Sequence, residues 1–371
     1  VIKLKIICDR NQLFEVISNV SRAVSPKSTL AALEGILLKA HAGRLYLSGY
    51  DLDMGMSASI GAKVMEEGEI VLTAKLFVDM IRRMASESIS IEADEKLLTV
   101  IKGGFTEFTI LGIPAEEFPE MPSVTDTAEL KIPQNMLKSM IDQTLFAIAT
   151  NDSKPVHTGS LFEISDNVLT VVSVDGFRLA MRKEHLRDCE DISFVVPGKT
   201  LSEISKLLAD DSDDMVDVYL SNKHIIFNVA GYSVVSRLLE GEFLDYKAAI
   251  PPSSATVITV NKREFMDSIE RTSLLISDRL KSPLRIKFDE DTIKMSCSTA
   301  IGKAYDELSC RINGTGVEMG FNNRYLIDAL RASDCDEVNL IINGALSPMK
   351  IIPLKDESFL FLVLPVRLKA E

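Results

Sequence analysis

The chain is one pattern written three times, and this repeat constrains its fold more than any other feature. The segment Leu45-Tyr-Leu-Ser-Gly-Tyr-Asp51 reads as a strand. Its counterpart Leu169-Thr-Val-Val-Ser-Val-Asp175 starts 124 residues later, and Ile293-Lys-Met-Ser-Cys-Ser-Thr299 follows after another 124. Helix-like stretches recur at the same interval: Thr73 to Met84 aligns with Pro197 to Leu208, and Asn323 to Arg331 is the third copy. Solenoid units run about 20–50 residues, so a period this long means repeated domains. Their expected bounds are 1–124, 125–252 and 253–371.

Each repeat reads in the same order: a short strand, a helix, several alternating strands, a second helix and three more strands. Asp9-Arg-Asn-Gln12 and Asn261-Lys-Arg-Glu264 resemble capping boxes, and Pro133 suits a first helical position. Leu137, Ile141, Leu145 and Ile148 fall close to one helical face, which predicts a helix over 133–149. Ala42-Gly43, Asp166-Asn167 and Asp289-Glu-Asp291 are turns between strands, and prolines mark the joints at Ile113-Pro114 and Ile250-Pro251-Pro252. The fold class is α+β: three similar domains, each with two helices packed on antiparallel sheets of about eight strands.

Composition narrows the function. Apolar residues at 46% and charged residues at 26% suit a folded chain rather than a disordered one. The longest apolar run, Phe359 to Val366, is far below the roughly 18 residues of a membrane span, and no signal-peptide core follows Lys3 and Lys5. Five scattered cysteines read as free thiols in a reducing cytoplasm. Catalytic motifs fail on inspection. Gly198-Lys199-Thr200 stands where a P-loop would, but the position of the first phosphate-wrapping glycine is Ser193. Asp51 and Asp53 have no histidine or second acidic pair nearby and read as a turn. His41, His157, His185 and His224 are isolated. No catalytic residue, metal or cofactor is expected, because nothing assembles an acid, a base and a nucleophile.

The net charge of −13 argues against a nucleic-acid binder until it is divided by region. The six predicted helices together carry +4, leaving −17 on the strands and loops. Lys75, Lys199 and Arg324 open the second helix of each repeat, and Arg82, Lys206 and Arg331 follow seven residues later, on the same face to within about 20°. Lys27, Lys154 and Lys281 sit in the loop after each first helix. Asp79, Glu203 and Asp328 lie midway between the helix cations, so a solvated face is one reading. Three copies of one cationic layout favour the other: a surface that meets a polyanion through its backbone, without reading sequence.

This architecture resembles the bacterial beta sliding clamps, the processivity subunits of DNA polymerase III. Local motifs agree along the whole length. Val174-Asp-Gly-Phe-Arg-Leu-Ala180 is similar to the family's Thr-Asp-Gly-His-Arg-Leu-Ala segment, Glu240-Gly-Glu-Phe-Leu-Asp-Tyr246 to its Gly-x-Phe-Pro-Asp-Tyr turn, and Leu364-Pro-Val-Arg-Leu368 to its terminal Met-Pro-Met-Arg-Leu. The resemblance implies a head-to-tail homodimer, closed as a ring around double-stranded DNA, of which one chain is half. The basic sets would face the hole. Phe108 and Ile110 of one subunit would meet Leu274 and Leu275 of the other, although the residues alone allow a core role for all four. The resemblance also implies an apolar groove that takes short peptide motifs from the polymerase III catalytic subunit, the clamp loader, other polymerases and repair proteins. Carried over by position, the groove is His157, Val174, Gly176, Phe177, Arg178, Leu179, Leu244, Leu346, Pro348, Leu362, Val363, Leu364, Pro365, Val366, Arg367 and Leu368, with Arg178 and Arg367 at its rim. Leu244 stands for the family's proline, Ala248 for a basic residue, Phe177 for a histidine and His157 for an apolar wall residue. Lys369-Ala-Glu371 extends past the family's usual end. An acidic scaffold that binds peptides without encircling DNA is the second reading. It is separated from the first by oligomeric state.

Overall fold

The computed structural model describes residues 3–123, 128–151, 153–252, 255–277 and 282–368. Its helices are α1 (Arg10–Val20), α2 (Ala74–Arg83), α3 (Gln134–Thr144), α4 (Gly198–Ser205), the single turn α5 (Tyr246–Ala249), α6 (Lys262–Thr272) and α7 (Asn323–Ala332). Among the described residues, the first and second repeats each contribute eight strands and the third nine, so the repeat of element order read from sequence is present. The three aligned strand segments are Arg44–Tyr50, Val168–Val174 and Thr292–Thr299.

Helix starts follow their caps. Asp9 Oδ1 accepts from the Gln12 amide at 2.8 Å and Asn261 Oδ1 from the Glu264 amide at 3.1 Å, each satisfying a donor that the helix leaves open. Pro133 departs from expectation: it is the last residue of strand Ala128–Pro133, opposite Met215, and α3 starts after it. The predicted helix over 133–149 also stops early. Leu137 and Ile141 are fully buried on α3, but Leu145 to Ala147 form a separate 3-10 turn and Ile148 lies beyond it.

The chain divides into two compact units. One contains residues 1–134 and 206–238, the other 135–205 and 239–371. The second repeat is therefore shared between them. In the first unit, strand Met54–Glu66 has 13 residues and pairs with three partners, Leu4–Asp9, Arg44–Tyr50 and Tyr232–Arg237. It joins strands of the first and second repeats in one twelve-stranded antiparallel sheet. Leu13 and Ile17 of α1 and Phe77 and Ile81 of α2 are fully buried, which leaves the opposite face of α2 to Lys75 and Arg82.

In the second unit, a nine-stranded sheet joins the second and third repeats where Arg178–His185 pairs with Phe359–Val363. A four-stranded sheet completes it. Phe265 and Ile269 of α6 and Leu326 and Leu330 of α7 bury themselves with Phe288, Phe321, Phe359 and Phe361. Each such side chain contributes about 1.5–3 kcal/mol by leaving water.

Candidate functional site

The expected groove residues fall into a buried set and an exposed set, both in the second unit. The register Val174 opposite Leu179, and Leu179 opposite Leu362, puts these three on one sheet face. They are nearly solvent-free and cluster with Val156, Met181, Tyr246 and Leu360, with Phe243 packed alongside. Val363 is 1% exposed and belongs instead to the core of the opposite face, with Phe361 and Phe321. Val174, Leu179, Leu362 and Val363 are therefore packing residues beneath a surface, because apolar clusters cover both faces of this sheet. The solvent-facing members are Gly176, Phe177, Leu244, Leu346, Leu364, Val366 and Arg367, while Pro348, Pro365 and Leu368 are half-buried.

The chain's last described residues frame that surface. Strand Phe359–Val363 ends two residues before Pro365, as expected of a residue without an amide hydrogen. The Leu364 amide still donates to the Phe177 carbonyl at 2.9 Å, and the Val366 amide donates to the Gly320 carbonyl at 2.8 Å. Lys369 to Glu371 lie outside the described residues.

Phe177 and Arg178 are set by a turn. Asp175 Oδ1 accepts from the Phe177 amide at 2.9 Å and the Arg178 amide at 3.1 Å, and Gly176 between them takes φ +89°, which an L side chain resists. Asp51, aligned with Asp175 by the repeat, does the same for the amides of Asp53 and Met54, which is the turn role read from sequence.

Arg178 is not a rim residue. Its side chain is 12% exposed, and its guanidinium donates to Asp175 Oδ2 at 2.9 Å and to Asp328 Oδ2 at 2.5 Å. It lies 4.5 Å from the Tyr325 ring centroid and 5.4 Å from that of Phe146. Phe177, 59% exposed, stacks on the same tyrosine at 6.1 Å. Sequence reading missed Asp175, Tyr325, Asp328 and Phe146 as parts of this cluster. Only Asp175 carried a signal, through its repeat partner Asp51. Arg367 is exposed.

His157 lies in the 3-10 turn Pro155–Thr158 and is 8% exposed. Its ring meets Phe243 edge-on at 5.2 Å, and its Nε2 is buried without a hydrogen-bond partner. Burial, then the nearby Lys154 charge, holds its pKa below the ordinary value, so the ring is neutral near pH 7.

The expected phosphate-facing cations are at the surface where described: Lys27, Lys75, Arg82, Lys154, Lys199, Lys206, Arg324 and Arg331 are all exposed. Lys281 lies outside the described residues. Lys206 follows the end of α4 rather than lying on it. Arg82 is held by Asp79, and Arg331 by Glu270 of α6 at 2.8 Å. Asp328, expected between Arg324 and Arg331, is drawn to Arg178 instead. The glycine of Gly198-Lys199-Thr200 has a packing reason: a Cβ there would come within 2.2 Å of Ile148 Cδ1.

Phe108 and Ile110 are half-buried on Thr106–Leu111, the outermost strand of the twelve-stranded sheet. Leu274 is 82% exposed and Leu275 half-buried in the turn after α6. That turn packs on Gly302–Ser309, an outer strand of the four-stranded sheet. None of the four residues has the burial of a core residue within the single chain.

Three family models match in succession: the N-terminal domain of DNA polymerase III beta subunit at residues 4–122, the central domain at 131–245 and the C-terminal domain at 247–367. The beta sliding clamp of Bacillus subtilis is 32% identical, over 98% of this chain and 100% of its own length. The crystal structure of the Bacillus subtilis DNA polymerase sliding clamp superposes with a TM-score of 0.95 at 30% identity, covering 99% of this chain and 100% of the other. A Pseudomonas aeruginosa sliding clamp bound to griselimycin superposes with a TM-score of 0.92 at 25% identity, covering 98% and 100%.

Proposed function

We infer the function from family membership: the chain belongs to the DNA polymerase III beta subunits, the beta sliding clamps. It is a DNA sliding clamp, a processivity factor rather than a catalytic subunit. Two copies close head to tail into a ring around double-stranded DNA, each built of clamp domains 1–124, 125–252 and 253–371. The observation that carries this reading is the unbroken run of three beta-subunit domains over nearly the whole chain.

Two outer strands support the closure. Thr106–Leu111 and Gly302–Ser309 have no buried residue, and exposed edges of this kind pair with other chains. Phe108 and Ile110 on one edge and Leu274 and Leu275 beside the other would supply the apolar contact. A closed ring holds DNA by topology, so weak phosphate contacts from the exposed cations suffice and permit sliding. Tethering then raises the effective concentration of polymerase at the primer end.

Partners dock on the exposed apolar set of Phe177, Leu244, Leu346, Leu364 and Val366 through short peptide motifs. The griselimycin complex of the Pseudomonas aeruginosa relative supports a ligand-binding surface on this fold. No described helix is long and apolar enough to cross a membrane, and a cytoplasmic location is proposed with the function.

The test is retention on nicked circular DNA after loading. The protein should stay on the circle and leave on linearisation. Equal retention on circular and linear DNA would overturn the encircling reading.

A further inference from the structure

We propose that an open cleft in the second unit, over the far end of strand Arg178–His185, binds a small zwitterion: an aliphatic α-amino acid or a short peptide with both ends free. The site stands on its own geometry and does not depend on the docking surface, whose Phe177 lies at the other end of that strand.

The register of three strands builds the site. Glu163 lies opposite Thr170, and Thr170 opposite Lys183, so one row across the sheet carries a carboxylate, a hydroxyl and an ammonium on one face. Side chains paired in this way have Cβ atoms about 5 Å apart. The cleft has a volume of about 830 Å³, inside the roughly 300–1,000 Å³ of small-molecule sites. Val168, Met181 and Ile250 give it an apolar wall, and Tyr246 and Lys247 line it beside Glu163.

Each member of the row has bonding capacity left over. Both partners of Glu163, the Tyr246 hydroxyl at 2.5 Å and the Lys247 ammonium at 3.0 Å, sit on Oε2. Its Oε1 has no partner among the described residues. Thr170 is 5% exposed and lines the cleft, yet its hydroxyl makes no hydrogen bond among the described residues. A buried hydroxyl is rarely left unpaired, so it marks a place made for a polar group. Lys183 is exposed and makes no ion pair among the described residues.

Charge selects the ligand. Five carboxylates line the cleft against two lysines. Glu163 is answered by Lys247, and Glu184 by Arg182. Asp166, Asp356 and Glu357 are left without an ion pair among the described residues, and they repel a plain anion. A plain cation would face the ammonium of Lys183. A zwitterion meets both demands: its ammonium donates to Glu163 Oε1 and its carboxylate accepts from Lys183. The Thr170 hydroxyl between them can donate or accept. An aliphatic side chain then covers Val168, Met181 and Ile250.

Calorimetric titration of the intact chain with L-leucine and with Leu-Leu tests this. The controls are isocaproate, which lacks the ammonium, and isoamylamine, which lacks the carboxylate. At least one zwitterion should bind with a Kd on the order of 1 mM or tighter, and both single-charge analogues at least about tenfold more weakly. Lys183→Met keeps the stem and removes the charge, and Thr170→Val keeps the shape and removes the hydroxyl. Each should weaken binding by about tenfold, the loss expected of one net hydrogen bond. Binding of L-leucine assigns a free amino acid as the ligand, and binding of Leu-Leu alone assigns a peptide. Three results would each overturn the proposal: no saturable binding of either zwitterion up to about 10 mM, an analogue bound as tightly as the zwitterion, or binding unchanged in either variant.

Discussion

Removing the Arg178 guanidinium should destabilise the second unit by at least about 3 kcal/mol, and the structure sets that size. The side chain is 12% exposed and its partner Asp175 13% exposed, so this half of the cluster is a buried pair. Breaking a buried pair from one side typically costs about 3–5 kcal/mol, because the other charge is left stranded. Asp175 keeps two backbone donors, from Phe177 and Arg178, which places the cost at the low end. Asp328 is 38% exposed and falls back on water, so its share is at most about 1 kcal/mol. Stacking on Tyr325 adds up to about 2 kcal/mol when desolvated. Arg178→Lys retains the charge, but one ammonium cannot serve both carboxylates and the ring, so it should recover less than half. The chain has no tryptophan, so circular dichroism in urea is the suitable readout, with the denaturant slope held constant as the sign of a pure stability change. A double-mutant cycle with Tyr325→Ala should give a coupling of about 1–2 kcal/mol. A loss below about 1 kcal/mol for Arg178→Ala, or additive effects in the cycle, would refute this account of the cluster.

Leu274→Asp combined with Leu275→Asp should give folded monomers, since an unpaired charge in a closed interface costs several kcal/mol; sedimentation would show 40.9 kDa instead of twice that, and a persistent dimer would refute the contact. Replacing Lys75, Lys199 and Arg324 by alanine should lower the log–log salt slope of DNA binding by about 0.9 for each phosphate no longer neutralised, whereas an unchanged slope means a merely solvated face. A chain ending at Val363 should keep its dimer and lose peptide binding. An earlier end at Phe361 would also strip out Leu362 and Val363, which are 2% and 1% exposed, and damage the fold itself. For Glu163, burial pushes the carboxyl up, but the Tyr246 hydroxyl at 2.5 Å and Lys247 at 3.0 Å outweigh it and leave its pKa below the ordinary value. A depressed carboxylate stabilises above its unfolded pKa, and that stability is lost as pH falls through the folded value. Tyr246→Phe should therefore raise the pH of the acid-unfolding midpoint, and an unmoved midpoint would exclude the link.

Features that depend on residues close together in the chain are legible in the amino-acid order. The interval of 124 identified three copies of one element order, and the caps at Asp9 and Asn261 formed as their side-chain chemistry dictates. The turn at Asp51 was legible for the same reason, and through the repeat it foreshadowed the turn at Asp175 that presents Phe177. Which strands meet is a matter of tertiary structure. Alternation tells which residues share a face, but it does not say that Arg178–His185 pairs with Phe359–Val363, or that Tyr232–Arg237 joins Met54–Glu66. Those pairings are chosen by burying both faces at once, which is a property of the assembled sheet. That choice separated Leu362 from Val363 into different cores and made both floor rather than surface. It also brought Tyr325 and Asp328, about 150 residues distant, onto Arg178 and turned that cation inward. Position in a family motif nominated the groove residues, while the direction each side chain faces came from contacts that no local pattern records.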